Sequence, residues 1–529
     1  MDALLLGVDI GTSSSKGVLT DPAGRIVARA ERPHGLSLPR PGWAEHDAEA
    51  VWWSDFVAIA RELLAAALDP VAAVAVSGIG PCLLPVDEED RPLRPAILYG
   101  IDTRATAEIA ELTGRYGAER ILERGGSPLT SQAVGPKLLW LRRHEPQIWA
   151  RTRRFFMASS FIVRRLTGEY VLDHHSASQC DPLYAIDEER WVADWAAEIA
   201  PGLELPRLCW PAEVAGRVSA PGAAATGIPA GTPVAAGTID AWAEAASAGV
   251  RAPGDTMLMY GTTMFIVEAV AALRPHPAMW GTAGIFPGSR TLAAGMATSG
   301  ALTGWFRSIA GEPPYETLLA EAERVPAGAD GLVVLPSIAG EPPYETLLAE
   351  AERVPAGADG LVVLPYFAGE RTPLFDPEAR GLVLGLTLSH GRGHLYRALL
   401  EATAFGVRHI LETMAGGGAA PSRLIAVGGG TRGGLWTRIV SDVTGRPQEL
   451  PRETIGASHG DALLAAIAAG LAFPETPWNE RQAIVSPDPA LAGRYDALYD
   501  IYRSLYPATR AQTHALARLQ AEGATERAN

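Results

Sequence analysis

An apolar, strand-like run followed by a glycine and threonine turn opens each half of this chain, and it constrains the fold more than any other feature. The first run covers residues 4–9, leads to a turn at residues 11–13, and is followed by a second strand-like run at residues 17–19. The second run covers residues 256–260 and leads to a turn at residues 261–263. Each pattern predicts a β-hairpin with a polar tip. We therefore expect two domains that begin alike.

The length of the chain supports this division. A chain of 529 residues is too long for one hydrophobic core, so two large domains are expected. The loop at residues 251–255 is the best candidate boundary, which gives domains at residues 1–250 and 251–529. Short strands alternate with helices in both parts, as in an α/β protein. One of these helices is predicted at residues 47–68, with Asp47 as its N-cap.

The charge and the apolar pattern limit the partners. The net charge of −15 argues against nucleic acid or an anionic membrane as the main partner. The three cysteines form neither a metal-ligand spacing nor a disulfide framework, which fits a reducing compartment. The N-terminus does not look like a signal peptide, and no stretch of 18 apolar residues occurs. We therefore expect a cytoplasmic protein that acts on small molecules.

The polar tip of the first hairpin suits a nucleotide. Gly11 lets the backbone approach a ligand closely, and the hydroxyls of Thr12 and Ser13 suit phosphate oxygens. Lys16 can place a positive charge against the same phosphates. Asp9 lies where the strand meets the turn, a position from which it could hold a hydrated magnesium ion. The alternative is an ordinary hairpin with a polar turn.

Two further positions could carry chemistry. A glycine triplet at residues 428–430 follows a strand and precedes a helix, but the chain has neither a Walker P-loop nor a complete Rossmann fingerprint. Asp240 ends a short strand and opens a helix of small residues. Its carboxylate could be a helix N-cap, or a general base that accepts a hydroxyl proton during phosphoryl transfer. Together with the two hairpin turns, these features suit a nucleotide that lies between two domains.

An exact repeat interrupts the second half. Residues 308–336 and residues 337–365 are the same 29 residues. Each copy predicts a helix, a glycine-rich turn and a Leu-Val-Val-Leu strand, and the family resemblance described below implies that the sheet has room for one such strand. The strand of the second copy should be the one in the sheet, because it runs directly into Tyr366. The helix could come from either copy, and the surplus is expected to form a surface excursion.

The order of the motifs resembles the FGGY family of carbohydrate kinases, with closest similarity to its xylulokinase-like branch. The resemblance covers roughly residues 4–471 and rests on the hairpin motif at residues 9–16, Pro-Gly-Trp-Ala-Glu at 41–45, Lys-Leu-x-Trp-Leu at 137–141, Gly-x-x-Asp at 237–240, the turn at 261–263, Gly-Glu-Arg-x-Pro at 369–373 and the glycines at 428–430. It implies an actin/hexokinase superfold, in which two ribonuclease H-like α/β domains enclose a catalytic cleft. It also implies ATP-dependent phosphorylation of a sugar or polyol, with magnesium.

The resemblance also implies roles for single residues. It makes Asp240 the catalytic base and Asp9 the acid near magnesium. It assigns ATP binding to a larger set that lies on the two turns and at later glycines: Gly11, Thr12, Ser13, Lys16, Gly261, Thr262, Gly300, Gly429 and Gly433.

The acceptor is less well defined by the motifs. Gly80, Tyr99 and Asp102 are expected to line the sugar site beside Asp240, although Asp102 and its neighbour Arg104 could equally form a helix cap and a surface pair. Residues 77–82 lack the polar side chains that xylulokinases and glycerol kinases usually carry there. A pentulose such as D-xylulose is the best expectation; ribulose, erythritol, glycerol or a non-sugar, actin-like ATPase are the alternatives. A homodimer is left open.

Overall fold

Two seven-stranded sheets organise the protein, and the computed structural model describes residues 3–309, 344–432 and 434–528. The strands of the first sheet are β1 (Leu4–Ile10), β2 (Ser14–Thr20), β3 (Ile26–Pro33), β4 (Val71–Gly78), β5 (Val214–Arg217), β6 (Pro233–Ala235) and β7 (Thr238–Ile239). Those of the second sheet are β8 (Asp255–Tyr260), β9 (Met264–Val270), β10 (Trp280–Ala283), β11 (Arg290–Met296), β12 (Arg423–Val427), β13 (Gln448–Pro451) and β14 (Arg481–Val485).

The two sheets share one topology. In the first, β1, β2 and β3 form an antiparallel meander, and β4 and β6 continue the sheet from β1 in parallel. In the second, β8, β9 and β11 form the meander, and β12 and β13 continue from β8 in parallel. The expectation that both halves begin with the same strand, turn and strand is therefore confirmed. Leu5, Leu6 and Val8 of β1 are fully buried, as expected for a strand covered on both faces.

Helices cover the faces of both sheets. They are α1 (Ser54–Ala65), α2 (Thr106–Tyr116), α3 (Ala118–Gly125), α4 (Val134–His144), α5 (Pro146–Arg151), α6 (Ala158–Thr167), α7 (His174–Ser178), α8 (Ala193–Ile199), α9 (Ala220–Thr226), α10 (Asp240–Ala248), α11 (Gly300–Ile309), α12 (Tyr344–Arg353), α13 (Arg392–Met414), α14 (Leu435–Thr444), α15 (Ala457–Ala468) and α16 (Ala492–Ala528). Five pairs of short strands complete the fold: Glu45–His46 with Ala96–Ile97, Leu84–Val86 with Arg154–Phe156, Val171–Asp173 with Arg207–Cys209, Tyr184–Ala185 with Arg190–Trp191, and Val362–Leu364 with Leu382–Leu384.

One helix of the second half packs on the sheet of the first. Helix α15 lies against β1, β4 and α10. The approach is so close that a Cβ atom on Gly7 would lie 2.1 Å from the carbonyl oxygen of Ser458, and one on Gly460 would lie 1.8 Å from that of Ala243. A shared apolar cluster, which includes buried residues of both sheets and of α15, connects the two halves. The halves are thus joined through a continuous core.

Two expectations from the sequence need correction. The helix predicted at residues 47–68 begins as a π-helical segment, Ala48–Trp53, continues as α1 and ends at Ala65. Asp47 caps it as predicted, accepting hydrogen bonds from the backbone N–H groups of Glu49 and Ala50 at 2.9 Å. The hydrogen bonds of this segment follow the wider π pattern, and the segment ends with the bulky pair Trp52 and Trp53, of which Trp52 is fully buried.

The strand of the second repeat copy forms, but not in a main sheet. Val362–Leu364 pairs with Leu382–Leu384 in a separate two-stranded antiparallel ribbon, so the prediction that it joins the large sheet is wrong. The physical reason is that all three residues are buried against the core around α13, where their backbone pairs with Leu382–Leu384 and not with an edge strand of the large sheet. Helix α12 is the helix of the second copy. Most of the first copy, and with it the expected excursion, lies outside the described residues.

No helix among the described residues is both long enough and apolar enough to cross a membrane.

Candidate active site

Two carboxylates meet at the carboxyl edge of the first sheet. Asp9 lies near the end of β1, opposite Ser77 of the parallel strand β4. The short strand β7 pairs with the other side of β4, also at Ser77, and Asp240 follows it as the first residue of α10. Because β1, β4 and β7 run in parallel, their carboxyl ends bring both acids to the same place. The Ala241 N–H donates to Oδ1 of Asp240 at 2.7 Å and fixes that carboxylate.

The site carries an excess of negative charge. Burial raises the pKa of Asp240 above its ordinary value. Burial also raises the pKa of Asp9, and the charges of Asp240 and Glu244 add to that effect, whereas Lys16 and a hydrogen bond from Ser77 oppose it. Burial, followed by the charge of Asp240, raises the pKa of Glu244 to about 7. Such a group of acids favours a bound proton or a cation.

The first polar turn has the geometry expected from its glycine. The N–H of Gly11 donates to the carbonyl of Ser14 at 3.2 Å, and a Cβ atom on Gly11 would lie only 2.7 Å from that oxygen. Ser13 is exposed at the tip of the turn. Lys16 lies opposite Asp9 across the hairpin, and its Nζ is 3.8 Å from Glu31 with 39% of the side chain exposed. Lys16 is thus held only weakly by Glu31 and keeps an accessible ammonium group.

A hydroxyl pair joins the first turn to the expected sugar site. Oγ1 of Thr12 lies 3.3 Å from the hydroxyl of Tyr99. The negative charge of Asp240 contributes to a raised pKa of Tyr99, after the larger effect of burial, so the two side chains lie close together. Gly80 packs against Ile239, the residue before Asp240, where a Cβ atom would meet Cγ1 at 2.7 Å. The structure therefore brings Thr12, Tyr99 and Gly80 around Asp240.

The residues expected at the nucleotide on the second domain also come together. The N–H of Gly300, at the start of α11, donates to the carbonyl of Gly261 at 3.0 Å, and the N–H of Ala301 donates to that of Thr262 at 3.0 Å. A Cβ atom on Gly300 would lie 2.5 Å from the Gly261 oxygen, so this contact requires glycine. Gly429 follows β12, the parallel neighbour of β8, and has open space where a side chain would stand. Gly433 lies outside the described residues.

Asp102 has partners that do not leave it open to a sugar. Arg104 donates to both of its oxygens, at 2.7 to 3.0 Å, and the N–H of Ala44 donates to Oδ2 at 2.8 Å. The side chains of Asp102 and Arg104 are both fully buried. The guanidinium of Arg104 also lies 3.9 Å from the ring centroid of Trp43. This geometry favours the alternative of a structural pair, with the correction that the pair is buried rather than on the surface.

Sequence reasoning missed three polar residues at this site. Ser77 lies in β4 between Asp9 and the strand that leads to Asp240. Asp461, on α15, accepts a hydrogen bond from Oγ of Ser77 at 2.6 Å. Glu244 stands one helical turn after Asp240. The signal for Asp461 was that it is the only acid in a helix of mostly small and apolar residues. The signal for Glu244 was its position four residues after Asp240, which places both on one face of α10.

The adjacent histidines of α7 are partnered by protein groups. Nδ1 of His174 is 2.8 Å from the hydroxyl of Tyr184, and Nδ1 of His175 donates to the carbonyl of Ala283 at 2.8 Å. Within the described part of the chain, no group of three or more His, Cys, Asp or Glu residues could hold a metal ion by itself.

Two α/β domains of similar topology, with two carboxylates at the carboxyl edge of the first sheet, fit an ATP-dependent phosphotransferase. Models of the FGGY family of carbohydrate kinases match the chain twice, the N-terminal domain at residues 4–246 and the C-terminal domain at residues 256–469. The chain therefore belongs to the FGGY family of carbohydrate kinases, and the fold class expected from the sequence is confirmed.

Individual relatives are similar over nearly their whole length. The xylulose kinase of Escherichia coli (strain K12) is 28% identical, with 95% of this chain and 98% of the relative covered. The glycerol kinase of Nocardia farcinica (strain IFM 10152) is 29% identical, with 89% and 90% covered. Among solved structures, the xylulose kinase from Rhodospirillum rubrum has a TM-score of 0.83 at 34% identity, with 97% of this chain and 100% of that chain covered.

Proposed function

We propose that this kinase phosphorylates a small ketose, with D-xylulose as the first choice. Relatives and solved structures named as xylulose kinases cover almost all of the chain. The observation that carries the proposal is the position of Asp240, which lies at the carboxyl edge of the first sheet beside Asp9, Tyr99 and Thr12.

In the proposed mechanism Asp240 is the general base. Its Oδ1 accepts the Ala241 N–H, which orients the carboxylate toward a substrate hydroxyl at the start of α10. Its raised pKa makes it a better proton acceptor near neutral pH than a free aspartate, because a base works best when its pKa is close to the working pH. The deprotonated hydroxyl then attacks the terminal phosphorus of ATP, and ADP leaves.

ATP is proposed to lie between the two polar turns. Gly11, Thr12, Ser13 and Lys16 would contact its phosphates from the first domain, and Gly261 and Thr262 from the second. Gly300 supports the second turn through its hydrogen bond to Gly261. Open space at Gly429 suits the flat face of a nucleotide base or ribose, and Gly433 is assigned to the same region. Because the two turns belong to different sheets, closure of the domains would bring them together and exclude water.

Magnesium is proposed to accompany the nucleotide beside Asp9. Asp9 is partly open to the cleft and lies among acids whose negative charge needs compensation, so the residues present fit a cation. A protein magnesium site in kinases usually needs only one or two carboxylates, because substrate phosphates and water complete the shell. When bound, the ion neutralises charge that develops on the transferring phosphoryl group.

The segment beside Gly80 does not separate a ketose from glycerol, because it lacks the polar side chains of both kinds of kinase; the preference for a ketose rests on the relatives. Ile79 and Cys82, beside Gly80, are buried and apolar, and they offer neither a carboxylate nor a guanidinium to a small polyol. Polar contacts to the acceptor would come from Tyr99 and Asp240, while a direct contact from Asp102 would require its ion pair to open. Because glycerol kinases are also among the relatives, glycerol is the second candidate, followed by ribulose and erythritol.

The domain limits, the location and the assembly state stay predictions. The family matches at residues 4–246 and 256–469 support a boundary near residue 250. We retain 1–250 and 251–529 as the proposed domains, with a cytoplasmic location and an undecided monomer or homodimer.

A panel of pentuloses, hexuloses, pentitols and glycerol, assayed by coupled ADP release, tests the proposed substrate. We expect D-xylulose to give the highest kcat/KM and no comparable ADP release without sugar. A higher kcat/KM for glycerol would move the protein to the polyol kinases. Sugar-independent ADP release at the same rate would instead indicate an ATPase and overturn the proposal.

A further inference from the structure

A chain of hydrogen bonds connects the metal-side acid Asp9 to a residue of the opposite half. Oγ of Ser77 lies 3.3 Å from Oδ1 of Asp9 and 2.6 Å from Oδ2 of Asp461. Ser77 and Asp461 are 384 residues apart in the sequence. Ser77 is fully buried, and so is Asp461. A single hydroxyl thus stands between two carboxyl groups.

The packing of α15 leaves Asp461 little freedom. Glycines at positions 7 and 460 let α15 approach β1 and α10 to direct backbone contact. Asp461 is the next residue after Gly460, so its backbone is fixed with respect to both strands that carry Asp9 and Ser77. A side chain held in this way can hold its hydrogen-bond partner in one orientation.

The count of hydrogen-bond groups shows why the chain depends on Asp461. A serine hydroxyl has one proton and cannot donate fully to two carboxylates. Oδ1 of Asp461 is buried and finds no hydrogen-bond partner among the described residues. Burial raises the pKa of Asp461, and the charge of Asp9 adds to this effect. The shorter contact, at 2.6 Å against 3.3 Å, makes Asp461 the main partner of the Ser77 hydroxyl, so Asp461 sets where that hydroxyl stands against Asp9.

We propose that Asp461 is a positioning residue for Asp9: through Ser77 it fixes the orientation of the Asp9 carboxylate, and with it the divalent cation that accompanies the nucleotide. This inference rests on the proposed role of Asp9 in cation binding. It gives a helix of the second half an influence, through Ser77, on the acid of the first half.

Binding of Mn²⁺ in the presence of ADP, followed by electron paramagnetic resonance, tests this without turnover. We expect Asp461→Leu and Ser77→Ala each to weaken Mn²⁺ binding about tenfold, the lower end of what lost partners of metal ligands cost. Asp461→Asn should bind Mn²⁺ as the wild type does, because an amide can both donate to and accept from Ser77. The double variant Ser77→Ala with Asp461→Leu should be no weaker than either single variant, since both break one chain.

Asp181→Asn is the matched control. Asp181 is another fully buried aspartate with an unpartnered Oδ1, and its pKa is raised by burial alone. This variant should leave Mn²⁺ binding unchanged whatever its melting temperature. Wild-type Mn²⁺ binding in Ser77→Ala and Asp461→Leu would overturn the proposal, as would multiplied losses in the double variant or a tenfold loss in Asp461→Asn. Failure of the ketose proposal would appear separately, in the sugar panel, because this measurement uses no sugar.

Discussion

Replacing Asp240 by asparagine isolates the proposed proton transfer from the fold. Asparagine has the same size and keeps Oδ1 as an acceptor for the Ala241 N–H, which is 2.7 Å away, so α10 should begin as before. Burial disfavours the charged form of Asp240, so a neutral amide should not lower the free energy of unfolding. The amide cannot accept the hydroxyl proton. General-base assistance contributes about 10²–10⁴-fold, which corresponds to about 2.7–5.4 kcal/mol in the barrier.

Turnover should be measured by coupled ADP release at saturating ketose and ATP, beside the melting temperature and ADP binding. We expect kcat to fall about 10²–10⁴-fold while ADP binding and the melting temperature stay within error. Asp47→Asn is the matched control, because Asp47 is also an aspartate at a helix start, accepts hydrogen bonds from backbone N–H groups through Oδ1 and is exposed. It should keep full turnover. If Asp240→Asn retained more than about a tenth of wild-type kcat, Asp240 would not be the general base.

Three further predictions follow from the site and the repeat. Thr12→Ala and Thr262→Ala should each raise the KM for ATP about 2- to 12-fold, because a lost hydrogen bond costs roughly 0.5–1.5 kcal/mol. The preferred sugar should stay the same; a changed preference in the sugar panel would mean that the turn faces the acceptor. Deletion of residues 308–336 leaves both junctions identical in sequence, so the shortened protein should keep its melting temperature and activity, and aggregation in size-exclusion chromatography would contradict the surplus assignment. As the pH is lowered, kcat/KM should fall at a pH well above 3.8, because Asp240 must be ionised to act as the base and burial raises its pKa. A fall only near the pKa of a free aspartate would contradict the buried setting of Asp240.

What the sequence could predict was local. The hairpin of β1 and β2 follows from alternating runs around a glycine turn, and the start of α10 at Asp240 follows from a strand end that meets small helix-forming residues. The family resemblance then assigned their roles. Asp9 and Asp240 come close together because strand β4 lies between the strands that lead to them. Only the assembled sheet shows that Ser77 of β4 pairs with β1 on one side and with β7 on the other.

Contacts between distant residues left no local signal. Nothing in the residues around Asp461 indicates a hydrogen bond to a serine that lies 384 positions earlier. The burial of Asp102 was hidden for a related reason: the pattern Asp-x-Arg is polar, but the indole of Trp43 lies over the guanidinium of Arg104 and the ion pair is buried. The ribbon formed by Val362–Leu364 likewise depends on its partner Leu382–Leu384, which the spacing of apolar residues does not identify.

Helix α15 is translated long after the strands that it covers, and this order affects folding on the ribosome. Strands β1 and β4 emerge first, but the helix that covers them is translated after a delay set by the 384 residues between Ser77 and Asp461. At about 5–20 residues per second, this wait lasts about 20 to 80 s. Throughout it, Leu5, Ala73 and Ala75 lack the apolar residues of α15 that share their cluster in the finished protein. The nascent first half must therefore be shielded from aggregation until nearly the whole chain has been made, and yield on expression should depend on chaperones that bind ribosome-attached chains.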